Sequence, residues 1–577
     1  MKLIDALQLN RQQPAPGDPL RIALACSFSP LHLQTFLVAH TRRATGLRGT
    51  SCNVGVFGDL AGNVERLARM RPDALFVAME WCDFDPRLSL RAAVDWSTAT
   101  LEDILTSAQE QAGRLSAALA QAAVPMVVSL PSLAVPPIAA NALWQAGPFQ
   151  LRLELLRFQL AVDLARVEKL QILNADFLAR HSSPIHRLDV RGELGAGFPY
   201  TLEHAEALAE LSVRVLFPPP RKKGIIIDLD DTLWRGLVGE VSPSGVRWDL
   251  EGKAQSHALV QQFLSSLFAN GIMVGVASKN DPAVVEATFQ ERADLVLKAD
   301  QVFPFEVNWG PKSQSVARIL ASWNVGAESV VFLDDSPVEV AEVKAVFPGM
   351  DCRVFPTRDE GLVYELVCDL RNAFGTTAVR PEDRLRVASL RQGDLFRKAA
   401  ASNGPENLDT FLGGIESHLT ITEGKAAQNP RALELVNKTN QFNLNGHRYL
   451  DAEWERLVTR PDAVLLVADY RDKFGPLGKI AVLAGRLVNS ELTVDSWVMS
   501  CRAFSRRIEH AILSFLVKKH QLSAVVFNYA PTAKNAPCRD LLVALAGSDV
   551  TKTPVRITAN ELASRSPALQ YHITEIT

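Results

Sequence analysis

The stretch "GIIIDLDDTLWRGLVGE", Gly224 to Glu240, runs three isoleucines directly into three carboxylates, Asp228, Asp230 and Asp231. A short, continuous apolar run reads as a strand buried on both faces. Carboxylates crowded at the end of such a strand repel one another and lose hydration, and a divalent cation is the usual relief. Side chains alternate along an extended chain, so Asp228 and Asp230 face the same way.

The residues that follow repeat the arrangement. "AQSHALVQQFLSSLFANG" places Val260, Phe263, Leu264, Leu267 and Phe268 on one helical face, and Asn270-Gly271 suits its C-terminus. The strand-like "IMVGVA" stops at Ser278, and "SVVFL" stops at Asp334-Asp335 after a helix that presents Val316, Ile319, Leu320 and Trp323. Ligands of open parallel sheets sit outside the carboxyl ends of the strands, so these polar residues are expected to converge. Asp228-Leu-Asp230-Asp-Thr232 resembles the nucleophile motif of the haloacid dehalogenase (HAD) superfamily, and the resemblance implies that Asp228 attacks phosphorus while Asp230 protonates the leaving oxygen and then activates water. Ser278 can hydrogen-bond a phosphoryl oxygen, Lys312 in "NWGPKSQ" can neutralise the phosphorylated aspartate, and Asp334 and Asp335 can complete a cation site with Asp228 and Asp230.

The 577 residues suggest roughly three or four domains. With 47% hydrophobic and 22% charged residues the composition is that of ordinary globular proteins, and a net charge of -3 leaves no nucleic-acid footprint. Seven cysteines, an odd number without CxxC spacing, point to a reducing compartment. The start lacks a signal-peptide core, and Pro125, Pro131, Pro136 and Pro137 interrupt the most apolar window, so a cytoplasmic protein without a membrane segment is expected. Before the linker "LFPPPRKK", strands and helices alternate ("RIALACSFS", "DALFVAM", "VPMVVSL"), which implies an α/β layer over residues 1–219. Residues 220–375 form the central unit, with a cap of only roughly twenty residues after Trp234. A polar helical connector covers 376–415. An α+β unit covers 416–577, with strands "HLTITEG", "AVLLVADY", "GKIAVLAGRLV" and "ELTVDSWVMS" before the helix "RRIEHAILSFLVKKH".

"DLDDTLWRGLVGE", "VASKND", "PKSQS" and "FLDDSPVEV", with "LVNKTNQFNLNGHRY", "DKFGPLGKIAV", "SWVMSCRAFSRRIEHAIL" and "YAPTAKN", are similar to FkbH-like proteins within the HAD superfamily, over roughly residues 150 to 577 and more weakly before that. The resemblance implies a multidomain α/β architecture: an SGNH-hydrolase-like N-terminal domain, a HAD-like parallel sheet with a small cap, and a GNAT-like α+β domain. It implies Mg2+ as cofactor, with Thr232 and Lys279 joining Ser278 on phosphate. It also implies a phosphorylated three-carbon acyl donor such as 1,3-bisphosphoglycerate, whose glyceryl unit passes through an enzyme cysteine to the phosphopantetheine thiol of an acyl carrier protein.

Two departures bear on that chemistry. Many relatives carry Cys before the "SKN" serine, where this chain has Ala277. The remaining candidate for an acyl-holding thiol is Cys501, at the end of "ELTVDSWVMS", where a GNAT enzyme holds a thioester, with Arg502 beside it. The GNAT pyrophosphate pattern R-x-x-G-x-G reads here Arg502-Ala-Phe-Ser505-Arg506-Arg507, so a pantetheine arm suits the site better than free acyl-CoA. Arg506 and Arg507 either meet acidic carrier residues or face solvent. Asn440, Gln441, Asn443 and His447 are candidates for the thioester or pantetheine amides. Ser27, at the place of an SGNH nucleophile, has no convincing D-x-x-H partner downstream, which favours an inactive, structural or docking role for that unit. A simpler alternative is a phosphatase acting on a small or carrier-bound metabolite whose third unit only docks the carrier, and a third reading is a scaffold with an inactive core.

Overall fold

A computed structural model describes the chain except for residues 93–96, 138–140, 143, 376–389, 394–411, 425–429, 501–502, 549, 551–553, 568, 570 and 577. Most of the expected helical connector therefore lies outside the described residues. The chain divides into two compact units, Met1–Pro219 with Leu450–Glu453, and Pro220–Tyr449 with Trp454–Thr577.

The first unit is built on a five-stranded sheet in the order Arg48–Val54, Ala15–Ala25, Ala74–Ala78, Met126–Ser129, Leu170–Ile172. Every pair is parallel. Alternation along the strands feeds two cores: Ala23, Ala25, Leu75 and Val77 pack on one face, and Ile22, Leu24, Ala74 and Phe76 on the other. Helices on both faces cover this sheet, as all-parallel sheets require.

The second unit contains two sheets. One has five strands in the order Asp351–Val354, Val330–Asp334, Gly224–Ile227, Met273–Ser278, Phe305–Val307, again all parallel. The quoted apolar run is its central strand. Ile225 and Ile227 enter one core and Ile226 the other, which is why the run does not alternate in polarity. The helix Gln255–Ala269 ends on Asn270 and the left-handed Gly271 (φ 75°). Val316, Ile319, Leu320 and Trp323 of the helix Lys312–Trp323 are all buried. The cap after Trp234 is one helical turn, Val238–Val241, a second short turn at Pro243–Gly245, and a bridge between Arg235 and Arg247.

The other sheet is mixed. Its order is Val555–Thr558, Ala524–Phe527, Glu491–Met499, Gly475–Val488, Ala463–Asp472, His418–Glu423, His572–Ile576. Glu491–Met499 runs parallel to Ala524–Phe527 only over Glu491 to Val494. Beyond that point the two separate, and a short strand, Phe442–Asn443, pairs antiparallel with Val498 and Met499. Leu444 continues the bridge by donating its N–H to Trp497 O (2.9 Å) and accepting from Ala530 N (3.2 Å).

Trp323 fixes how closely its helix packs on the five-stranded parallel sheet of the second unit. It is 1% exposed, donates from Nε1 to Phe303 O (2.7 Å), and lies over two glycines. A Cβ on Gly224 or Gly275 would sit 2.6 Å or 2.8 Å from the indole. Gly275→Ala should therefore lower unfolding free energy by about 1–3 kcal/mol through overpacking. Urea melts followed by circular dichroism test this, and an unchanged midpoint would show that the indole has room to move.

Candidate active site

Asp228 is the first residue beyond the central strand, and its N–H donates to Leu333 O of the neighbouring strand (3.0 Å). That register sets it beside Asp334, the last residue of Val330–Asp334. One oxygen each from Asp228, Asp334 and Asp335 lie within 4.8 Å of one another. Lys312, the first residue of its helix and 1% exposed, reaches the same place. Its Nζ stands 2.9 Å from Asp228 Oδ1, 2.7 Å from Asp334 Oδ2 and 2.9 Å from Glu339 Oε2. Burial alone would lower the Lys312 pKa, but Asp228, Asp334 and Glu339 outweigh it and hold the ammonium above the ordinary lysine value.

The carboxylates are pushed the other way. Burial, then repulsion from Asp228, raises Asp334 despite Lys312. Burial, then Asp228 and Asp231, raises Asp335 to about 6. Hard oxygen donors in such a group suit Mg2+ or Ca2+ rather than a soft metal, and a dication would remove the repulsion that raises these groups.

The three acids of the opening stretch have three different settings. Asp228 belongs to the cluster. Asp230 does not bring its side chain into it, contrary to the expectation of a fourth metal carboxylate. Its Oδ1 accepts from Trp234 Nε1 (2.8 Å) and Val238 N (3.1 Å), and its Oδ2 accepts from Asn280 Nδ2 (2.9 Å). Burial raises its pKa most, these donors lower it, and Asp228 raises it further, for a net upward shift. Asp231 sits in the left-handed region (φ 48°) and accepts from Gly236 N (2.8 Å), so it shapes the turn.

Thr232 is fully buried with its hydroxyl oxygen unbonded, and its carbonyl meets His257 Nδ1 (3.0 Å). Ser278 ends its strand at 4% exposure. Lys279 pairs with Glu339 Oε1 at 2.8 Å, so Glu339 holds both lysines. Glu339, Asn280 and Trp234 are functional-site residues that the sequence reading left unassigned. Their signals were present: Glu339 lies four residues after Asp335, and Asn280 two after Ser278.

Cys501 and Arg502 lie outside the described residues. Arg506 is neither a carrier contact nor solvent-facing: it is 3% exposed and donates from Nε to the buried Asp472 Oδ2 (2.8 Å). Arg507 sits in the left-handed region (φ 60°) at the start of the helix Ile508–His520. Asn443, expected to meet pantetheine, is buried, and both ends of its amide are used locally. Nδ2 donates to Thr439 O, and Oδ1 accepts from Asn445 N and Gly446 N. Asn440 Oδ1 accepts from Arg448, and Gln441 is half-buried. His447 is exposed against Tyr449, on a polar cleft shared with Arg460, Arg486, Asp495 and Asn528. In the first unit, Ser27 is 8% exposed with its hydroxyl 3.7 Å from Cys82 Sγ. The imidazole of His204 lies instead between the hydroxyls of Ser132 and Ser182, at 2.9 Å from each.

Among solved structures, the chain is similar to the N-terminal part of BF1531 from Bacteroides fragilis, described as containing a phosphatase domain complexed with Mg. The match has a TM-score of 0.51 at 19% identity and covers 66% of this chain and 100% of that one. At that identity the likeness establishes the fold, a multidomain α/β architecture. No family model and no curated protein matches the chain. Among the described residues, no helix is long and apolar enough to cross a membrane.

The raised Asp335 pKa, about 6 against ~3.9 for a free aspartate, gives a signed pH dependence. A raised carboxyl stabilises the fold below the unfolded pKa and loses that contribution as pH rises through the folded one. Between about pH 5 and pH 7.5 the metal-free protein should therefore lose thermal stability relative to Asp335→Asn, and a divalent cation should raise its melting temperature more at the higher pH. Equal cation effects at both pH values would show that the three acids do not form one binding site.

Proposed function

We propose that this protein is a magnesium-dependent phosphatase and acyl transferase of HAD type. Its donor is a phosphorylated three-carbon acyl compound of the 1,3-bisphosphoglycerate kind. Its acceptor is the phosphopantetheine thiol of an acyl carrier protein in polyketide or related biosynthesis. The observation that carries the phosphatase part is the group of buried Asp228, Asp334 and Lys312 with half-buried Asp335 at the carboxyl ends of a parallel sheet. BF1531, with its Mg-bound phosphatase domain, supports the same reading. The acyl-transfer part rests on the sequence resemblance; the C-terminal unit has the α+β layout with a mainly antiparallel sheet that the resemblance implies.

An Asp228 oxygen bonds to the phosphorus of the donor's ester phosphate as the bond to the C3 oxygen breaks, and Asp230 gives that oxygen its proton. The acyl phosphate is kept for the thiol, whose sulfur bonds to the acyl carbon as that carbon's bond to the second phosphate breaks. The upward shift of Asp230 favours the protonated form this step needs. Asp230 then takes a proton from water, whose oxygen displaces Asp228 and releases phosphate. Lys312 offsets charge on Asp228 throughout. Thr232, Ser278 and Lys279 offer donors to the phosphoryl oxygens. Mg2+ on Asp228, Asp334 and Asp335 would spread the charge on those oxygens.

One observation favours the simpler alternative, in which the C-terminal sheet only docks a carrier. The Phe442–Asn443 strand already occupies the edge of Glu491–Met499 near its end, where a thioester would lie. Incubation with 1,3-bisphosphoglycerate, Mg2+ and holo carrier protein separates the readings. The proposal expects phosphate release together with a glyceryl mass shift on the carrier, and Cys501→Ala should abolish only the shift. Phosphate release without any shift selects the alternative. Asp228→Asn should eliminate release and Asp230→Asn lower it about 10²–10⁴-fold. An active Asp228→Asn enzyme would overturn both.

A further inference from the structure

The helix Pro148–Leu164 of the first unit is apolar on two opposite faces. Phe149, Leu153, Leu156, Leu160 and Leu164 are buried in the unit's core. On the other side Leu151, Leu155, Phe158 and Val162 are exposed at 56%, 57%, 63% and 56%. Their spacing of four, three and four residues forms one straight stripe. Four large apolar side chains in a row on a surface mark an interaction site.

We propose that this stripe is the seam of a homodimer, with the same helix of a second copy packed antiparallel across a two-fold axis between Leu156 and Arg157. The two-fold sets Leu155 against Phe158 of the second copy and Leu151 against Val162, so every apolar position meets another. The flanks select this pairing. At 100° per residue, Arg152 and Asp163 lie on one side of the stripe and Glu154 and Arg157 on the other. An antiparallel two-fold brings each flank against its own copy. Arg152 then faces Asp163 of the second copy, and Glu154 faces Arg157, each offset by about 3 Å along the axis. A parallel pair would match Arg152 with Glu154 and leave Asp163 opposite alanines. Within the chain these charges have surface partners: Arg152 with Glu102 (2.7 Å), Arg157 with Glu154 (2.6 Å) and Asp163 with Arg166 (3.9 Å). Exchanging them across the axis gives register more than affinity. The stripe supplies roughly half of the ~800 Å² per partner of a standard interface, so the dimer is a weak, concentration-dependent one.

Sedimentation equilibrium of the full chain tests this. Wild type should approach twice the chain mass as concentration rises, and Leu155→Glu with Phe158→Glu should raise the dimer Kd at least tenfold with an unchanged circular dichroism spectrum. Arg152→Asp alone should weaken the dimer, and adding Asp163→Arg to the same chain should restore it. Under oxidation, Leu155→Cys mixed with Phe158→Cys should cross-link better than Leu155→Cys alone. A wild type that stays monomeric overturns the proposal, whether the stripe is open or shielded from hydrogen exchange by another segment of its own chain. So does a dimer indifferent to the glutamates, or preferential Leu155→Cys self-linking, which would mean a parallel pair.

Discussion

The ammonium of Lys312 is the contact around which the central domain is organised. A cation 1% exposed to water survives only if its charge is matched, and here Asp228, Asp334 and Glu339 all come within 2.9 Å. Those acids arrive from a strand end, a second strand end and a helix, so the match exists only when two adjacent strands are in register and two helices are docked. The converse also holds. Without Lys312 the acids would face one another in a dry site, and their shared repulsion would fall on the fold. With it the group is still negative: burial first, and then Asp228 and Asp231, hold the Asp335 carboxyl above the usual aspartate range. Structural stability and the capacity to hold a divalent cation are the same electrostatic arrangement seen from two sides.

Three aspartates within four positions acquire separate roles from their donors alone. Asp228 has an ammonium beside it, Asp230 has an indole, a backbone amide and a side-chain amide, and Asp231 has the amide of Gly236. The Asn280 amide is oriented because its own oxygen accepts Asp281 N (3.2 Å), which turns Nδ2 toward Asp230. Both oxygens of Asp230 are thereby fixed in direction. In the proposed reaction Asp230 passes a proton one way and then back, which calls for that constancy of position.

Much of this was legible in the sequence because it rests on local rules. The isoleucine run, the four buried positions of the Lys312 helix and the Asn270-Gly271 stop each follow from period and backbone preference. Strand-end placement then brought Asp228, Asp334, Asp335 and Lys312 to one end of the sheet. What stayed hidden depends on partners distant in sequence. The edge strand Arg48–Val54 buries none of its residues fully and carries no apolar pattern, so nothing in "RGTSCNV" announces it. Asp230 reads as a metal carboxylate until Trp234 and Asn280 are seen to hold it. Arg506 reads as a surface cation because its partner, Asp472, is thirty-four residues away.

The same long-range dependence reshapes the C-terminal sheet. Where Glu491–Met499 and Ala524–Phe527 part, unpaired backbone groups face each other across a wedge, and such edges must be satisfied. Phe442 to Leu444 fills the wedge with its own main chain, and Asn535 locks it by donating from Nδ2 to Asn443 O (3.0 Å) and Ala530 O (2.9 Å). The amide-rich "NQFNLNG" is therefore spent on the fold rather than on a ligand over its central residues.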